Sequence, residues 1–515
     1  MPQDSRENRS VKQPQSGAGA PKTTMHTPGS AGKKVSGIGV VGGGFVGDDR
    51  HFNVDSEGVH VPTGNSEILI TRRQLLYGAA GILGLAAVGG VATTVARESD
   101  SADTAESLSV AENEVFTLDD MSEVSADDVM STIGEYKLPY GSLVWAGNDN
   151  VAACLLPSEK ATPLVTADLL LLTTGNQITV LSAADGADDG FEIYDIRASE
   201  DGIIWTEANI LTNVWRVFSA PLTDYEAGTH TQLDEGDASY EMPTLAVSGS
   251  RAYWQLIPVT SDDDSSETVQ SVVKSVTFDS PKKASTVYTV DGSCQCALSI
   301  DNSNGNVIIT APNPDASSQC QILNVDSSGT VVDSLTFPSR MTPQEVAYGS
   351  TGFAFSFESI YNYGDGIANL GTYTSQSKPD NGAYSNRTWF RFERTPSMPP
   401  AWCDEWFIVK STSAVVACDL ASKRYAVFDT DNSAESYGDC LASIGQTSSV
   451  VIYTNIDRTE SVSDSDDSTD SKYCLVRVFS VSGNDSNSSN DDGSDDYTDD
   501  GDYTDDGSYN DYSEE

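Results

Sequence analysis

The chain has 515 residues, 38% of them hydrophobic and 21% charged, and a formal net charge of −48. There is enough apolar material for a folded core, but an acidic balance of this size lacks the basic footprint that phosphate backbones require, so nucleic acid is excluded as a partner. The charge is uneven: residues 1–97 carry 10 basic and 7 acidic side chains, residues 98–481 carry 19 and 57, and residues 482–515 carry none and 13.

Residues 1–36 are rich in Ser, Gly, Pro, Gln and Lys, and the stretch 1–67 reads as a disordered cytoplasmic arm. Residues 37–42 spell G-x-G-x-x-G. A dinucleotide fingerprint needs a strand before it and a helix after it, and here more glycines follow instead, so no dinucleotide site is expected.

An export segment occupies 68–97. Thr71, Arg72 and Arg73 precede a charge-free run of 22 residues, 75–96, half of it Gly or Ala. Paired arginines before an apolar run mark the cytoplasmic side of a membrane. On Thr71, Arg72, Arg73 and Leu76 the segment resembles the twin-arginine leaders of bacterial exported proteins, although Leu75 and Tyr77 stand where Phe and Lys are usual. The resemblance implies passage through the twin-arginine export machinery in a folded state, with the domain facing outward. At ~1.5 Å per residue the run also suffices to span a bilayer, so residues 75–96 would anchor an uncleaved chain in the cytoplasmic membrane. Thr94-Val95-Ala96 offers a small-residue site, and cleavage near Ala96 would release the domain extracellularly. All eight cysteines (154, 294, 296, 320, 403, 418, 440 and 474) follow this segment. An even count on the exported side leads to an expectation of disulfides, with buried free thiols as the alternative.

After an acidic linker, 98–112, the stretch 113–481 becomes strand-like. Short runs of Val, Ile, Tyr, Phe, Trp and Thr recur every ~8–12 residues between Gly, Asp, Asn, Pro and Ser, the pattern of an all-β fold. The runs fall into groups of four. One group is 191–197, 202–208, 214–222 and 229–233; the next is 244–248, 251–259, 269–278 and 286–290; a third is 297–301, 306–311, 319–326 and 331–337. Groups begin roughly 50 residues apart, as the blades of a propeller do. With further starts at Leu143, Glu345, Thr388 and Leu441, the expected architecture is an all-β propeller of about seven four-stranded blades. Six or eight blades are alternatives, and a pair of β-sandwiches is the runner-up. Trp215-Arg216-Val217-Phe218-Ser219 is echoed by Val476-Arg477-Val478-Phe479-Ser480, both expected as third strands. A ring of blades must close on itself to remove its open edges, and 113–118 is expected to complete the last blade beside 473–481.

Trp402 and Trp406 flank Cys403, Asp404 and Glu405 just after Pro399 and Pro400. Prolines oppose regular strand pairing, so these rings are candidates for a loop that holds a sugar or peptide, against the alternative of core packing. His230 is the only histidine after the export segment, which excludes His-rich metal centres and disfavours hydrolytic triads. Ser199-Glu200-Asp201-Gly202-Ile203-Ile204-Trp205 resembles the Asp-box of sialidases with one residue missing, and that box is a structural hairpin turn. The tail 482–515 reads as disordered. Within it Asp496, Asp500, Asp502 and Asp506 lie in two copies of Asp-Tyr-Thr-Asp-Asp-Gly, whose hard oxygen ligands would suit calcium; no other cofactor is expected. The functional expectation is a non-catalytic envelope module binding an extracellular protein or glycan. The alternatives are a carbohydrate-active hydrolase or lyase using funnel carboxylates, and an envelope assembly factor.

Overall fold

The computed structural model describes residues 115–482 except 158–163, 260–269, 293–295, 340, 358–373, 376–388, 393–395, 397, 412 and 459–470, together with 33–35, 52–54, 58–63, 66–71, 108 and 113. β-Branched and aromatic runs make the strands, and turn residues in the left-handed region, such as Asn213, Asp224 and Asp404, reverse the chain between them. Seven successive antiparallel sheets result, each assembled almost entirely in chain order.

Blade 1 comprises Leu143–Trp145, Val151–Pro157, Leu164–Leu171 and Gln177–Leu181. Blade 2 follows with Glu192–Ala198, Gly202–Asn209, Val214–Thr223 and Thr231–Gly236, and blade 3 with Thr244–Ser248, Arg251–Leu256, Gln270–Thr277 and Ser285–Asp291. Blade 4 is Ser299–Asp301, Asn306–Asn313, Ala316–Val325 and Val331–Thr336; blade 5 is Glu345–Gly349, Gly352–Ser356, Thr374–Ser375 and Trp389–Arg391. Blade 6 is Ala401–Cys403, Trp406–Lys410, Val415–Asp419 and Arg424–Val427, and blade 7 is Cys440–Leu441, Ser449–Asp457 and Lys472–Val481 with a fourth strand from elsewhere. The fold is a β-propeller. Residues 202–209 in blade 2 and 406–410 in blade 6 are buried almost throughout, because neighbouring blades cover both faces of a second strand. Apolar clusters fill the gaps between successive blades from 1 to 6, and one joins blades 6, 7 and 1 across the seam of the ring.

The echo of Trp215–Ser219 and Val476–Ser480 falls on third strands, as expected. The blade start expected at Thr388 is corrected: Trp389–Arg391 is the outer strand of blade 5, and blade 6 begins at Ala401, directly after the two prolines.

Closure differs in the segment used. Met130–Pro139, not 113–118, pairs antiparallel with Lys472–Val481 and completes blade 7. Residues 130–139 are mostly exposed, so this edge strand has little of the apolar alternation that marks a strand in sequence. The upstream chain instead forms a belt. Leu108 N donates to Thr336 O (2.7 Å) at the end of blade 4's outer strand. Val115–Phe116 then pairs in parallel with Trp389–Arg391 of blade 5, and Ser122–Glu123 with Arg424–Val427 of blade 6.

A four-stranded antiparallel meander, Lys33–Val35, Phe52–Val54, Gly58–Thr63 and Ser66–Thr71, stands where a disordered arm was expected, and its last strand takes up the first residues, 68–71, of the expected export segment. Thr71 ends its last strand. Arg72, Arg73, Leu76, the run 75–96, and Asp496, Asp500, Asp502 and Asp506 lie outside the described residues. Among the described residues, no helix is long and apolar enough to cross a membrane.

The disulfide expectation is also corrected. Cys154, Cys296, Cys320, Cys403, Cys418, Cys440 and Cys474 are buried and form no disulfide with one another, while Cys294 lies outside the described residues. These thiols fill blade gaps as small apolar groups. Burial pushes Cys440 up to about 11 and Cys403 up to about 12, so both stay protonated.

Candidate cleft at the mouth of the propeller channel

The innermost strands of a propeller surround its axis, so the hairpins joining first and second strands gather at one end of it. These turns are built from ordinary turn residues. Asn148 Oδ1 accepts from the main-chain N–H groups of Asn150 and Val151 (both 2.9 Å), closing the blade 1 turn, while its Nδ2 reaches Ala198 O on blade 2 (3.2 Å). Ser199 Oγ donates to Gly249 O on blade 3 (2.6 Å). Asp404, at φ 49°, sits in the two-residue turn between Cys403 and Trp406 of blade 6.

A strap of chain enters from blade 7. Ser443 bridges in parallel to Ala146 of blade 1, and Gly445–Thr447 then pairs in parallel with Ala401–Cys403 on the axial side of blade 6. The strap also packs against the first strands of blades 4 and 5. Asn302 Nδ2 donates to Ile444 O (3.0 Å) and Gln446 O (3.1 Å), holding it from the blade 4 side. Gly445 is required there: its φ is +71°, and an added Cβ would lie 2.8 Å from both Asn302 Nδ2 and Ile300 O. On the blade 1 side, Asp149 Oδ1 accepts from the N–H groups of Ser448 and Ser449 and from Ser449 Oγ, each at 2.9 Å.

Turns from blades 1, 2, 3, 4 and 6 and strap residues 446–448 enclose a cavity of about 410 Å³. Its lining holds two carboxylates, Asp149 and Asp404, with amides, hydroxyls and main chain. Among the described residues no Lys, Arg, His or aromatic side chain lines it.

The two tryptophans singled out from sequence are not at this surface, which corrects the ligand-loop reading. Trp402 is fully buried in the first strand of blade 6, tilted against Phe407 with centroids 5.1 Å apart, and its Nε1 donates to Thr351 Oγ1 (3.0 Å). Trp406 is 5% exposed and begins the second strand, with the Arg424 guanidinium 5.6 Å from its ring. The prolines end the preceding connection and the strand starts at once, so both rings enter the core. Asp404, between them, is the residue of that segment that reaches the cavity.

His230 contacts the Asp185 carboxylate (2.9 Å) and the edge of Trp205, away from the cavity. The Asp-box-like segment is indeed the blade 2 hairpin: Ser199 N donates to Gly202 O (3.0 Å) and Trp205 is fully buried. Burial pushes the carboxyl of Glu345 up to about 8 and that of Glu435 up to about 7; neither lines the cavity. Among the described residues no group of three or more His, Cys, Asp or Glu is arranged to hold a metal.

No known protein-family profile matches the sequence, and no curated protein does. Among solved structures, the chain is similar to the Dos1 propeller, at 10% identity over 67% of this chain and 95% of that one, with a TM-score of 0.34. It is similar to a post-proline cleaving enzyme from Rickettsia typhi at 12% identity, over 62% of this chain and 50% of that one, with a TM-score of 0.38. A third is a Mycobacterium tuberculosis puromycin-hydrolyzing peptidase, at 12% identity over 64% of this chain and 50% of that one, TM-score 0.36. The chain spans about half the length of these two peptidases. The class is set by the chain's own sheet order: seven radial sheets closed by a strand from the other end.

Proposed function

We propose that this is a non-catalytic interaction propeller of the cell envelope, presenting the cleft at its channel mouth to a partner outside the cytoplasmic membrane. The observation that carries this reading is the cleft itself. Five blades contribute turns to it, and among the described residues its lining offers hydrogen-bonding groups without a histidine, a cysteine or any of the four acids raised by burial, Asp168, Glu241, Glu345 and Glu435. Fold alone does not choose among functions, so the reading rests on this site. Export by Thr71, Arg72, Arg73 and Leu76 with the run 75–96 supplies the location. Seven buried cysteines with no disulfide among them support that route, because a chain that folds before crossing encloses its cysteines while its surroundings are still reducing.

Two measurements test the proposal. Arg72→Lys/Arg73→Lys should leave the propeller in the cytoplasm, whereas unimpaired export of this variant would remove the proposed route. On the exported protein, hydrolysis of a glycan that disappears in Asp404→Asn would replace the binding function with an enzymatic one.

A further inference from the structure

We propose that the connection leading from blade 6 into blade 7, residues 428–439, carries a pH-responsive clasp: its segment 433–435 is docked on blade 7 while Glu435 is protonated and is released when that carboxyl ionises. The segment lies antiparallel against the end of blade 7's second strand. Glu435 N donates to Asn455 O (3.1 Å), Asp457 N donates to Ser433 O (3.0 Å), and Ala434 bridges to Ile456 between them. Side chains alternate along such a pairing. Ala434 and Ile456 turn to one face, where Ile456 is fully buried with Tyr473 and Leu475. Glu435 therefore shares the other face with Asn455, directly opposite, and with Asp457 on the diagonal, a spacing within the reach of long side chains.

Neither neighbour supplies a donor to an ionised Glu435. Asn455 is engaged at both ends of its amide: Oδ1 accepts from Gly141 N (3.0 Å) and Nδ2 donates to Tyr437 Oη (2.8 Å). Asp457 is itself an anion, and Lys472, opposite it on the third strand, is paired with it at 2.7 Å. Among the described residues no hydrogen bond or ion pair reaches the Glu435 carboxyl. The other elements around this face bring Tyr140, whose ring lies 5.5 Å from Lys472 Nζ, Cys440 of the first strand, and Lys410 of blade 6, which donates to Tyr437 O (2.7 Å). Within the connection, Asp431 is paired with Arg458 (2.7 Å) and Asp439 with Arg477 (2.9 Å). Lys472, Lys410, Arg458 and Arg477 are thus each engaged with another group, so ionisation of Glu435 adds a charge without a direct partner.

Burial, and next the Asp457 carboxylate, push the Glu435 carboxyl up to about 7, with Lys472 offsetting part of the rise. In the released segment the carboxyl returns toward its ordinary value of 4.5. Docking is therefore strongest below that pH, weakens above it, and has lost this contribution once the pH passes about 7. The Asp431–Arg458 pair on one side and the Lys410–Tyr437 bond on the other do not involve Glu435, so opening is confined to the residues between them and the ring stays closed.

Amide hydrogen exchange of the full chain, expressed as protection relative to an unstructured chain at the same pH, measures the clasp. In the wild type, protection of segments 433–435 and 455–457 should fall roughly ten-fold or more between about pH 5.5 and 8.5, while residues 306–313 of blade 4 keep theirs. Glu435→Gln should hold its low-pH protection throughout. Glu345→Gln, which removes an acid that burial raises in blade 5, should retain the wild-type fall. A flat wild-type profile, or a fall that persists in Glu435→Gln, would overturn the clasp. If Glu435→Gln proves undocked even at low pH, Asp457→Asn decides. It removes the neighbouring anion and frees Lys472 for Glu435, so the fall should move to lower pH; an unmoved midpoint would overturn the proposal.

Discussion

Arg216 and Arg477 occupy the same place in the echoed third strands of blades 2 and 7, yet they do different work. Arg216 lays its guanidinium over the Phe191 ring at 4.1 Å. Arg477 donates through Nη2 to Asp439 Oδ1 (2.9 Å) and through Nη1 to Asp429 O (2.7 Å). Asp439 is fully buried and is otherwise bonded by the hydroxyls of Thr430 and Thr454. Hydroxyls satisfy its lone pairs but not its charge, which Arg477 pairs directly and the buried Lys410 ammonium offsets without a hydrogen bond to it. Arg477→Met should therefore cost about 3–5 kcal/mol, and adding Asp439→Asn should recover part of the loss. Arg216→Met should cost about 1 kcal/mol or less, since it removes only a cation–π contact. Denaturant unfolding of the four proteins measures all of this; equal losses for the two arginines would show that Asp439 does not depend on its partner.

At the level of elements, the belt and the closing strand have separable roles. Val115–Phe116 and Ser122–Glu123 add short parallel pairings to the outer edges of blades 5 and 6, whereas Met130–Pro139 supplies a whole strand without which blade 7 has an open edge. Deleting 109–124 should lower the Tm but keep a single cooperative transition. Deleting 125–139 should abolish cooperative unfolding, as followed by calorimetry and limited proteolysis. The same elements show what a sequence can and cannot reveal. Groups of runs in blades 2, 3 and 4 land on observed strands, because their apolar residues are held by blades on both sides and the turn residues between them are strong. Met130–Pro139 is an exposed edge with little apolar signal, so the closure was legible in kind and not in position. Trp402 and Trp406 were misread because a proline pair that immediately precedes a strand resembles one that lies within a loop. The cleft was not legible at all. Asn148, Ser199, Asn302 and Asp404 are each unexceptional turn residues, and only the radial closure of blades brings positions some 250 residues apart in sequence to one cavity.

For the whole molecule, the ring and its cysteines together bear on the proposed export route. Lys472–Val481, the third strand of blade 7, pairs with Met130–Pro139, so closure must wait until residues 472–481 have been made. Before closure the thiols of Cys154 in blade 1 and of Cys440 and Cys474 in blade 7 lack the shared core cluster that encloses them. An open chain delivered to an oxidising compartment would expose those thiols to pairing and trapping, while a chain closed beforehand would arrive with them sealed. On the proposed export route the seven described cysteines of the native protein should accordingly be unreactive toward a thiol reagent, and all should become reactive in denaturant. Reductant should leave the Tm unchanged, because among the described residues no crosslink that would contribute about 2–5 kcal/mol is present to be lost. A Tm that falls on reduction, or fewer than seven of these thiols appearing in denaturant, would mean that cysteines pair after export and that the ring closes outside.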